Sequence, residues 1–344
     1  MDVQRLMPGD TANARLWDAF VQTCPQATFF HRSGWQQVIA EVFRHHTYFL
    51  FAREGETIKG VLPLAHVNSR LFGNALVGLP FAVYGGVAAD GVEAADALES
   101  HAQVLAQRLG VQHLELRNMD RRHADWPTQD LYVTFRKDLL PQEEANMLAI
   151  PRKQRAMVRK GIKNGLASAI DDTVDAFFAL YADNVHRHGT PALPKSYFRT
   201  LQQVFGPDCE VLTVRAPNGR PLSSVLSFYF RDEVLPYYAG DDTSARELAA
   251  NDFKYWELMR RACARGIKVF DYGRSKQGTG SFAFKKNWGF EPRPLHYQYC
   301  LYQRDAIPQN NPSNAKYKLL IATWRRMPIG LANWLGPFIV RSLG

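Results

Sequence analysis

Residues 269–289 read VFDYGRSKQGTGSFAFKKNWG, and this segment is the richest of the chain in candidate functional residues. The apolar residues at its start predict a β-strand that ends at residues 271–272. A loop with Gly273, Gly278 and Gly280 is predicted next, because glycine tolerates positive φ and lets a ligand approach the backbone closely. The segment therefore predicts a strand, a glycine-rich loop and a short helix in succession.

The helix after this loop is predicted over residues 282–288, with Thr279 or Ser281 as its N-cap and Gly289 beyond its end. Three basic side chains accompany the loop and the helix: Arg274, Lys276 and Lys285. Backbone amides, a helix N-terminus and cations directed at one place are typical of an anion-binding site. The alternative is a glycine-rich turn with solvated lysines, and the GxxxxGK[ST] pattern of a P-loop is absent.

The order of predicted elements that leads to this segment occurs twice in the chain. Each half contains three strands, a helix and a further strand. They are predicted at residues 47–53, 58–67, 75–87, 91–109 and 111–116 of the first half, and at residues 209–216, 221–230, 234–240, 245–265 and 267–272 of the second half. Other helices are predicted at residues 33–44, 173–188 and 195–205.

A single offset of 156 residues relates the two halves. It places Leu79-Pro80-Phe81 on Leu235-Pro236-Tyr237, and it places Gly110-Val111 on Gly266-Ile267. Two matches at one offset, together with the common order of elements, predict an internal duplication.

The composition is that of a globular protein with room for about two domains: 344 residues, 46% hydrophobic and 22% charged. This excludes a disordered or fibrous chain. The four cysteines lack metal-ligand spacing, so no disulfide framework and no metal site are expected. The first residues contain no apolar signal core, and no apolar run is long enough to span a bilayer, so a cytoplasmic protein is expected.

The net charge of +9 is concentrated in two short segments. Residues 146–170 contain six basic residues and no acidic one, and residues 303–344 contain six basic residues and one acidic one. Four basic residues of the first segment recur at helical spacing: Arg152, Arg155, Arg159 and Lys163. They predict either a clamp for the phosphates of a nucleotide, tRNA or lipid-linked substrate, or a solvated linker helix.

The run DYGRSKQGTGSFAFKKNWGFEPRPLHYQY at 271–299 resembles the C-terminal repeat of the FemAB family of aminoacyl- and acyltransferases. The resemblance is closest to the branch that accompanies the exosortase (PEP-CTERM) system of Gram-negative bacteria. LPFAVYGGV at 79–87, HRHGTPALPKSYF at 186–198 and the tail at 324–344 fit the same branch, so the resemblance covers nearly the whole chain.

This resemblance implies an α/β fold with two tandem acetyltransferase-type (GNAT) domains, each built on a mixed, largely antiparallel central sheet. The expected boundaries are an N-terminal domain at 1–150, a C-terminal domain with the glycine-rich loop at 151–302, and a basic amphipathic tail at 303–344.

FemAB-type transferases carry a Phe-Lys pair at this place in the active site, which implies Phe284 and Lys285 here. Lys285 is expected to neutralise a phosphate of the donor or acceptor, or the developing oxyanion of acyl transfer. The residues expected to bind substrate around it are Arg274, Ser275, Gly278, Thr279, Gly280, Phe284 and Trp288, with Arg152, Arg155 and Arg159 of the basic segment.

No permanently bound cofactor is expected, and three acyl donors remain open: acyl-CoA, an acyl carrier and aminoacyl-tRNA. The sequence lacks the helical-hairpin arm of the peptidoglycan-bridge members, which weakens the case for aminoacyl-tRNA. Residues 85–92 and 240–247 occupy the places where ordinary acetyltransferases hold the pyrophosphate of coenzyme A. They read GGVAADGV and GDDTSARE, and neither fits R/Q-x-x-G-x-G/A. Nucleic acid is expected only as a tRNA donor.

Two carboxylates are candidates for acid–base chemistry. Asp252 falls on an apolar stripe of its predicted helix, between Leu248 and Trp256, where an unpaired carboxylate is costly. It is either a general base for an acceptor amine or hydroxyl, or the partner of a buried arginine. Asp271, at the predicted strand end, is the second candidate, unless it orients Arg274.

Tyr84 and Tyr238 stand near predicted strand ends, beside glycines in the first repeat. They are expected either to line a cleft between the repeats and contact substrate, or to pack in the cores.

The tail mixes basic and bulky apolar residues, including Trp324, Trp334 and Phe338, and Pro328 and Pro337 interrupt it. Residues 313–344 therefore predict either a segment that lies on an anionic membrane surface or a helix that docks on the second domain.

The sequence thus predicts a cytoplasmic N-acyltransferase associated with the inner face of the inner membrane. It would transfer an acyl or aminoacyl group to an amine of a cell-envelope or exopolysaccharide precursor, and its partner would be a phosphate-bearing small molecule or a lipid-linked substrate. The alternative is a non-catalytic scaffold protein of an exopolysaccharide-synthesis complex at the membrane.

Overall fold

The computed structural model describes residues 1–69, 73–308 and 315–341, with the backbone alone for 315–320. Contacts divide the chain into two units. Unit 1 comprises Met1–Tyr132, Pro294–Gln309 and Arg341–Gly344, and unit 2 comprises Val133–Arg293 and Asn310–Val340.

The described residues form helices and strands throughout both units. The helices are α1 (Thr11–Thr23), α2 (Gly34–Val38), α3 (Val92–Arg108), α4 (Glu143–Ala149), α5 (Arg152–Lys163), α6 (Asp175–His188), α7 (Lys195–Phe205), α8 (Ala245–Leu248), α9 (Ala250–Ala264), α10 (Gly280–Asn287), α11 (Ala315–Arg326) and α12 (Ile329–Val340). The strands are β1 (Asp2–Leu6), β2 (His46–Glu54), β3 (Thr57–Ser69), β4 (Gly73–Gly78), β5 (Ala88–Ala89), β6 (His113–Asn118), β7 (Thr128–Gln129), β8 (Tyr132–Asp138), β9 (Ala167–Asp171), β10 (Cys209–Arg215), β11 (Pro221–Phe230), β12 (Glu233–Asp241), β13 (Val269–Lys276), β14 (Pro292–Pro294) and β15 (His296–Leu301).

The sheet of unit 1 has the strand order β1-β2-β3-β4-β6-β15-β7. Strands β2, β3 and β4 pair antiparallel, whereas β4 and β6 pair parallel. Helix α3 connects β5 to β6 and buries an alanine-rich face that includes Ala94, Ala102 and Ala106 against this sheet. Small side chains on that face allow a close approach of helix to sheet.

The sheet of unit 2 has the order β14-β8-β13-β12-β11-β10-β9. Strands β10, β11 and β12 pair antiparallel, and β12 pairs parallel with β13. Helix α6 lies against β12, where Gly240 is required: a Cβ there would stand 2.3 Å from the amide nitrogen of Tyr181.

The predicted duplication is visible in the corresponding order β2-β3-β4-α3-β6 and β10-β11-β12-α9-β13. Gly110 and Gly266 follow the ends of α3 and α9 with left-handed backbone, at φ 61° and 71°. Val111 and Ile267 then donate amide hydrogen bonds back to Ala106 and Ala262. Both helices therefore end in the same glycine cap, as the sequence offset predicts.

The contacts divide the chain elsewhere than at the boundaries expected after residues 150 and 302. Strand β8 lies beside β13 in the sheet of unit 2, and β15 pairs with β6 in the sheet of unit 1. Helices α11 and α12 contact α6 and therefore belong to unit 2. Residues 309–314 and 342–344 of the predicted tail lie outside the described residues.

Three predicted elements need correction. The strand expected at 75–87 ends at Gly78, because Leu79 and Phe81 take left-handed backbone on either side of Pro80. The helix expected at 245–265 is divided at Ala249, whose φ is 60°. The strand expected to end at 272 continues to Lys276.

Candidate functional site

The parallel strands β12 and β13 separate soon after they begin. Their pairing comprises Glu233 with Val269 and Val234 with Phe270, although both strands continue well beyond these residues. Pro236 has no amide proton to donate, and the register of β12 against β11 shifts beside Tyr237. The two strands therefore diverge within unit 2 at the Leu-Pro-Tyr sequence.

The corresponding place in unit 1 is filled by the chain itself. After Gly78 the chain turns back, so that Gly85 donates its amide to the Arg117 carbonyl of β6 at 3.1 Å. A Cβ on Gly85 would stand 2.1 Å from the carbonyl oxygen of Gly78. Residues 79–87, hereafter the closing segment, thus lie between β4 and β6. In unit 2 the chain continues as strand β12 to Asp241, so only there do the parallel strands diverge without such a return.

Lys285 on α10 is buried, with 8% of its surface exposed, and its ammonium binds the backbone of β13. Its Nζ donates to the carbonyl oxygens of Tyr272 at 2.7 Å, Gly273 at 3.1 Å and Arg274 at 3.0 Å. Three consecutive carbonyls converge because Gly273 has a φ of 63°, a conformation that favours glycine. The carbonyls match the three protons of an ammonium group.

This geometry changes the role expected for Lys285. Direct neutralisation of a substrate phosphate or oxyanion requires a free N–H, and the three N–H groups of Lys285 are used on the backbone. Burial lowers the pKa of Lys285 to about 7, and the nearby Asp271 partly opposes this shift. Lys285 is therefore a positioning residue that fixes the bend of β13.

Asp252 lies in the first turn of α9 and is half-buried. Its Oδ1 accepts a hydrogen bond from the indole Nε1 of Trp288 at 3.0 Å, so its partner is a tryptophan instead of the arginine considered from the sequence. Among the described residues no other side chain donates to this carboxylate. Its second oxygen is not among the fully buried polar atoms that lack a hydrogen-bond partner. Burial raises the pKa of Asp252, which brings a carboxylate closer to the range of a general base.

Four aromatic rings contact one another beside this carboxylate and join α9, α10 and β13. Tyr255 packs edge-on against Tyr272 with ring centroids 4.9 Å apart, and it contacts Phe284 and Trp288. The structure thus brings together Asp252, Phe284, Lys285 and Trp288 around Tyr272. We call this group, with Tyr255, the Tyr272 cluster.

Two members of this cluster, Tyr255 and Tyr272, were not predicted from the sequence. Tyr255 stands three residues after Asp252, on the same side of α9, and that spacing was the available signal. The Tyr272 hydroxyl is buried and has no hydrogen-bond partner in the described part of the chain. Burial raises its pKa well above the usual value, so it remains a neutral O–H donor.

Asp271 is buried at 1% exposure and holds β13 against β8. It accepts hydrogen bonds from the Arg136 guanidinium at 2.7 Å, from the Thr134 hydroxyl at 3.3 Å and from the Gly273 amide at 2.7 Å. These contacts assign it a structural role beside the bend instead of the acid–base role considered from the sequence.

The predicted glycine-rich loop is shorter than expected, because Gly273, Arg274 and Ser275 belong to β13. Ser275 is buried and hydrogen-bonded to Ser281, and Arg274 is exposed.

Thr279 is the N-cap of α10, as predicted, and accepts the Phe282 amide at 3.3 Å. Added Cβ atoms at Gly278 and Gly280 would meet nothing within 4 Å, so the backbone there is open to a ligand.

A second polar group lies at the end of β12 and was also missed. The Asp241 carboxylate accepts hydrogen bonds from the Ser223 hydroxyl and from Lys254 at 2.9 Å. Lys254 is fully buried, and its Nζ lies 4.9 Å from the ring centre of Tyr255. This pair connects β12 to the Tyr272 cluster through α9.

The residues at the start of α8, near Asp241, carry negative charge where ordinary acetyltransferases hold the diphosphate of coenzyme A. Asp242 already accepts the Ser244 amide at 2.9 Å and the Arg220 guanidinium at 3.1 Å. Two adjacent carboxylates, Asp241 and Asp242, therefore stand where a diphosphate would need cations or free amides. These residues do not fit that group.

The basic residues of the first charged segment lie on helix α5, as predicted, and Arg152 and Arg159 are exposed. Arg155 donates to the Leu148 carbonyl at 3.2 Å. The opposite face packs on α9, where a Cβ on Gly161 would stand 2.8 Å from Cβ of Phe253. Helix α5 is thus packed directly against the helix that carries Asp252.

The two tyrosines expected to contact substrate pack among aromatic rings, with Tyr84 buried and Tyr238 half-buried. Tyr84 lies in the closing segment, is 2% exposed and packs edge-on against Phe30. The Tyr238 hydroxyl is hydrogen-bonded to that of Tyr197 at 3.1 Å, within an aromatic cluster that includes Phe198. Tyr84 therefore follows the packing alternative, whereas Tyr238 keeps part of its surface exposed.

Two features are absent from the described residues. No group of three or more His, Cys, Asp or Glu side chains there is arranged to hold a metal ion. No helix there has the length and apolar character needed to cross a bilayer.

Comparison with known proteins agrees with this architecture. Residues 152–286 match the family model described as an acetyltransferase (GNAT) domain. Comparison with curated protein sequences found no match. The matched residues lie within unit 2, and the predicted class of the protein, an acyltransferase, is confirmed.

Solved structures match over nearly the whole chain. FemX is similar with a TM-score of 0.68 and 14% identity, covering 88% of this chain and 98% of FemX. The C-terminal domain of a protein assigned as a lysylphosphatidylglycerol synthetase from Agrobacterium fabrum has a TM-score of 0.59 and 13% identity, covering 91% and 96%. A tandem GNAT protein from the clavulanic acid biosynthesis pathway has a TM-score of 0.55 and 14% identity, covering 89% of this chain and 99% of its own. The predicted tandem GNAT-like, FemAB-like fold is confirmed.

Proposed function

We propose that the protein is an N-acyltransferase of FemAB type, which passes an acyl or aminoacyl group to an amine of a cell-envelope or exopolysaccharide precursor. The observation that carries this proposal is the Tyr272 cluster, where an accessible carboxylate with a raised pKa stands beside the end of β13. The carboxylate, Asp252, removes a proton from the acceptor ammonium, so that the neutral amine attacks the acyl carbon; the bond from that carbon to the donor sulfur or oxygen then breaks, and the donor leaves as a thiol or hydroxyl with the second amine proton.

The bend at Gly273 gives this reaction a fixed frame. Lys285 holds the carbonyls of Tyr272, Gly273 and Arg274 on one side of β13, and Asp271 holds the Gly273 amide. Fixed geometry around the reacting groups lowers the entropic part of the activation barrier of a two-substrate reaction. Lys285 therefore acts through the backbone that it positions.

The charge around the site supports a phosphate-bearing substrate. The exposed arginines of α5 lie on a helix that contacts α9, and Gly289 after α10 lies against Pro151 at the start of α5. The exposed cations of α5 would attract an anionic small molecule or lipid-linked substrate to this part of unit 2. One structural neighbour is assigned as a synthetase of lysylphosphatidylglycerol, a lipid that unites an aminoacyl group with a phosphate.

The same observations support a choice of donor. The carboxylates at Asp241 and Asp242 disfavour coenzyme A at its usual place, which supports an acyl carrier first, with aminoacyl-tRNA second because the sequence lacks the helical-hairpin arm. The resemblance to the exosortase-associated branch supports an envelope or exopolysaccharide acceptor.

The experiment that tests the proposal incubates the protein with acyl-CoA, acyl-carrier and aminoacyl-tRNA donors and with amine acceptors. Release of free thiol or deacylated tRNA is measured with and without the acceptor. Acceptor-dependent release supports transfer, whereas no release with any donor favours the scaffold alternative.

Replacing Tyr272 with Phe separates function from folding at this site. The Tyr272 hydroxyl is buried without a partner, so its removal should leave the free energy of unfolding unchanged or raise it by about 1 kcal/mol. Because the hydroxyl is sealed from solvent and cannot reach a substrate oxygen, the transfer rate should stay unchanged. Thermal unfolding and donor release are measured on the same samples, and a fall in rate of about tenfold or more would show that the hydroxyl donates to substrate.

A further inference from the structure

Helix α12 presents its large side chains outward and its small ones inward. The buried residues are Ala332, Gly336 and Val340, spaced four apart on one face. Gly336 allows a close contact, because a Cβ there would stand 3.0 Å from the carbonyl oxygen of Ala192. This inner face fixes α12 on unit 2, as the docking alternative for the tail predicted.

The opposite face of α12 is apolar and exposed. Leu331 is 45% exposed, Trp334 64% and Phe338 66%, and their spacing of three and four residues places them on one side of the helix. The rings of Trp334 and Phe338 pack edge-on with centroids 5.9 Å apart. An ordinary surface helix has the reverse arrangement, with its large apolar residues facing the core.

The sequence around this face carries positive charge and no acidic residue. Arg325 and Arg326 end α11 and are exposed, Arg341 follows α12, and Asp305 is the last acidic residue of the chain. Aromatic and aliphatic side chains beside arginines are the composition of segments that insert into the headgroup region of an anionic bilayer. Helix α12 has twelve residues and contains Pro337, so it suits a position in the plane of the interface and not across it.

We propose that the outer face of α12, formed by Leu331, Trp334 and Phe338, docks the protein on an anionic lipid bilayer, with Arg325 and Arg326 contacting the headgroups. A second copy of the chain is a poorer occupant, because pairing this face with itself would bring two cationic segments together. The proposal does not depend on acyl transfer.

The test uses the full chain and two kinds of vesicle, phosphatidylcholine alone and phosphatidylcholine with phosphatidylglycerol in a two-to-one ratio. Sedimentation should show at least about tenfold tighter binding to the anionic vesicles, and added salt should weaken it. The double variant Trp334→Glu/Phe338→Glu should bind the anionic vesicles at least about tenfold more weakly.

Matched controls separate this face from other exposed apolar residues and from misfolding. The variant Val104→Glu/Leu148→Glu changes two side chains that are 65% and 66% exposed on α3 and α4, and it should bind as the unmodified chain does. The variant Trp334→Phe should still bind but should lose the fluorescence quenching that brominated acyl chains cause when Trp334 inserts. Arg325→Gln/Arg326→Gln should reduce the preference for anionic vesicles, and it keeps the apolar face intact.

Three results would overturn the proposal: no binding to either vesicle, equal binding by the double glutamate variant with its folding retained, or quenching that persists in Trp334→Phe. Concentration-dependent dimerisation that the double variant abolishes, without vesicle binding, would assign the face to a second copy instead.

Discussion

Asp252→Asn should lower the rate of acyl transfer by about 10²- to 10⁴-fold, the usual contribution of a general base. Asparagine keeps an oxygen for the Trp288 indole, so the contact that positions residue 252 is retained. The unmodified enzyme should gain activity as the pH rises through the raised pKa of Asp252, and the variant should lack this pH dependence.

The same substitution should not destabilise the protein at neutral pH. The pKa of Asp252 is raised on folding, so the folded state holds more protons than the unfolded chain between the two pKa values. Stability from this residue is therefore present at low pH and is lost as the pH rises through the folded pKa. Asp232→Asn, at an exposed turn of the same unit, is the matched control and should leave rate and stability unchanged. An Asp252→Asn enzyme with a normal rate and pH profile would exclude Asp252 as the base.

Lys285→Met should lower both stability and activity. Three carbonyl oxygens lose their hydrogen-bond donor, whereas the variant no longer has to bury a charge. The free energy of unfolding is expected to fall by about 1–3 kcal/mol in total. The bend of β13 then relaxes beside the Tyr272 cluster, and a displacement of about 1 Å is enough to reduce the rate roughly 10²-fold. Denaturant unfolding and donor release measure the two effects.

The pH dependence gives Lys285 a specific signature. Its folded pKa of about 7 lies below the unfolded value of 10.5, so the unfolded chain binds more protons between these values. The contribution of Lys285 to stability therefore rises as the pH increases from about 7 towards 10. Lys286→Met, at the exposed neighbour on α10, should keep this rise and the full rate, whereas Lys285→Met should lose it. Identical pH profiles for the two variants would contradict the buried position of Lys285.

The duplicated fold was predictable because its signals are local. Helix-ending glycines at 110 and 266 and the repeated Leu-Pro-aromatic sequence mark equivalent places in both units. The strand assignments of β8 and β15 were not predictable, because a strand's partner depends on contacts between residues far apart in sequence. The closing segment was missed for a related reason: 79–87 has the apolar pattern of a strand, and its left-handed residues Leu79 and Phe81 are not glycines.

Several residues of the candidate site were named from the sequence, but their contacts were not. Asp252, Phe284, Lys285 and Trp288 do come together, but the partner of each was wrong or unknown. A lysine in a glycine-rich segment predicts an exposed cation, and only the bend at Gly273 turns it inward to three carbonyls. Tyr272 and Lys254 were missed because a tyrosine in a strand and a lysine in a helix usually indicate packing and solvation.

In the proposed function, transfer takes place in unit 2, where β12 and β13 diverge, because the closing segment fills the equivalent place in unit 1. Hydrogen–deuterium exchange with a donor that supports transfer locates the site. We expect slower exchange in residues 235–241 and 272–282 on donor binding, with residues 73–87 unchanged. Slower exchange at 73–87 with none at the unit 2 segments would contradict it.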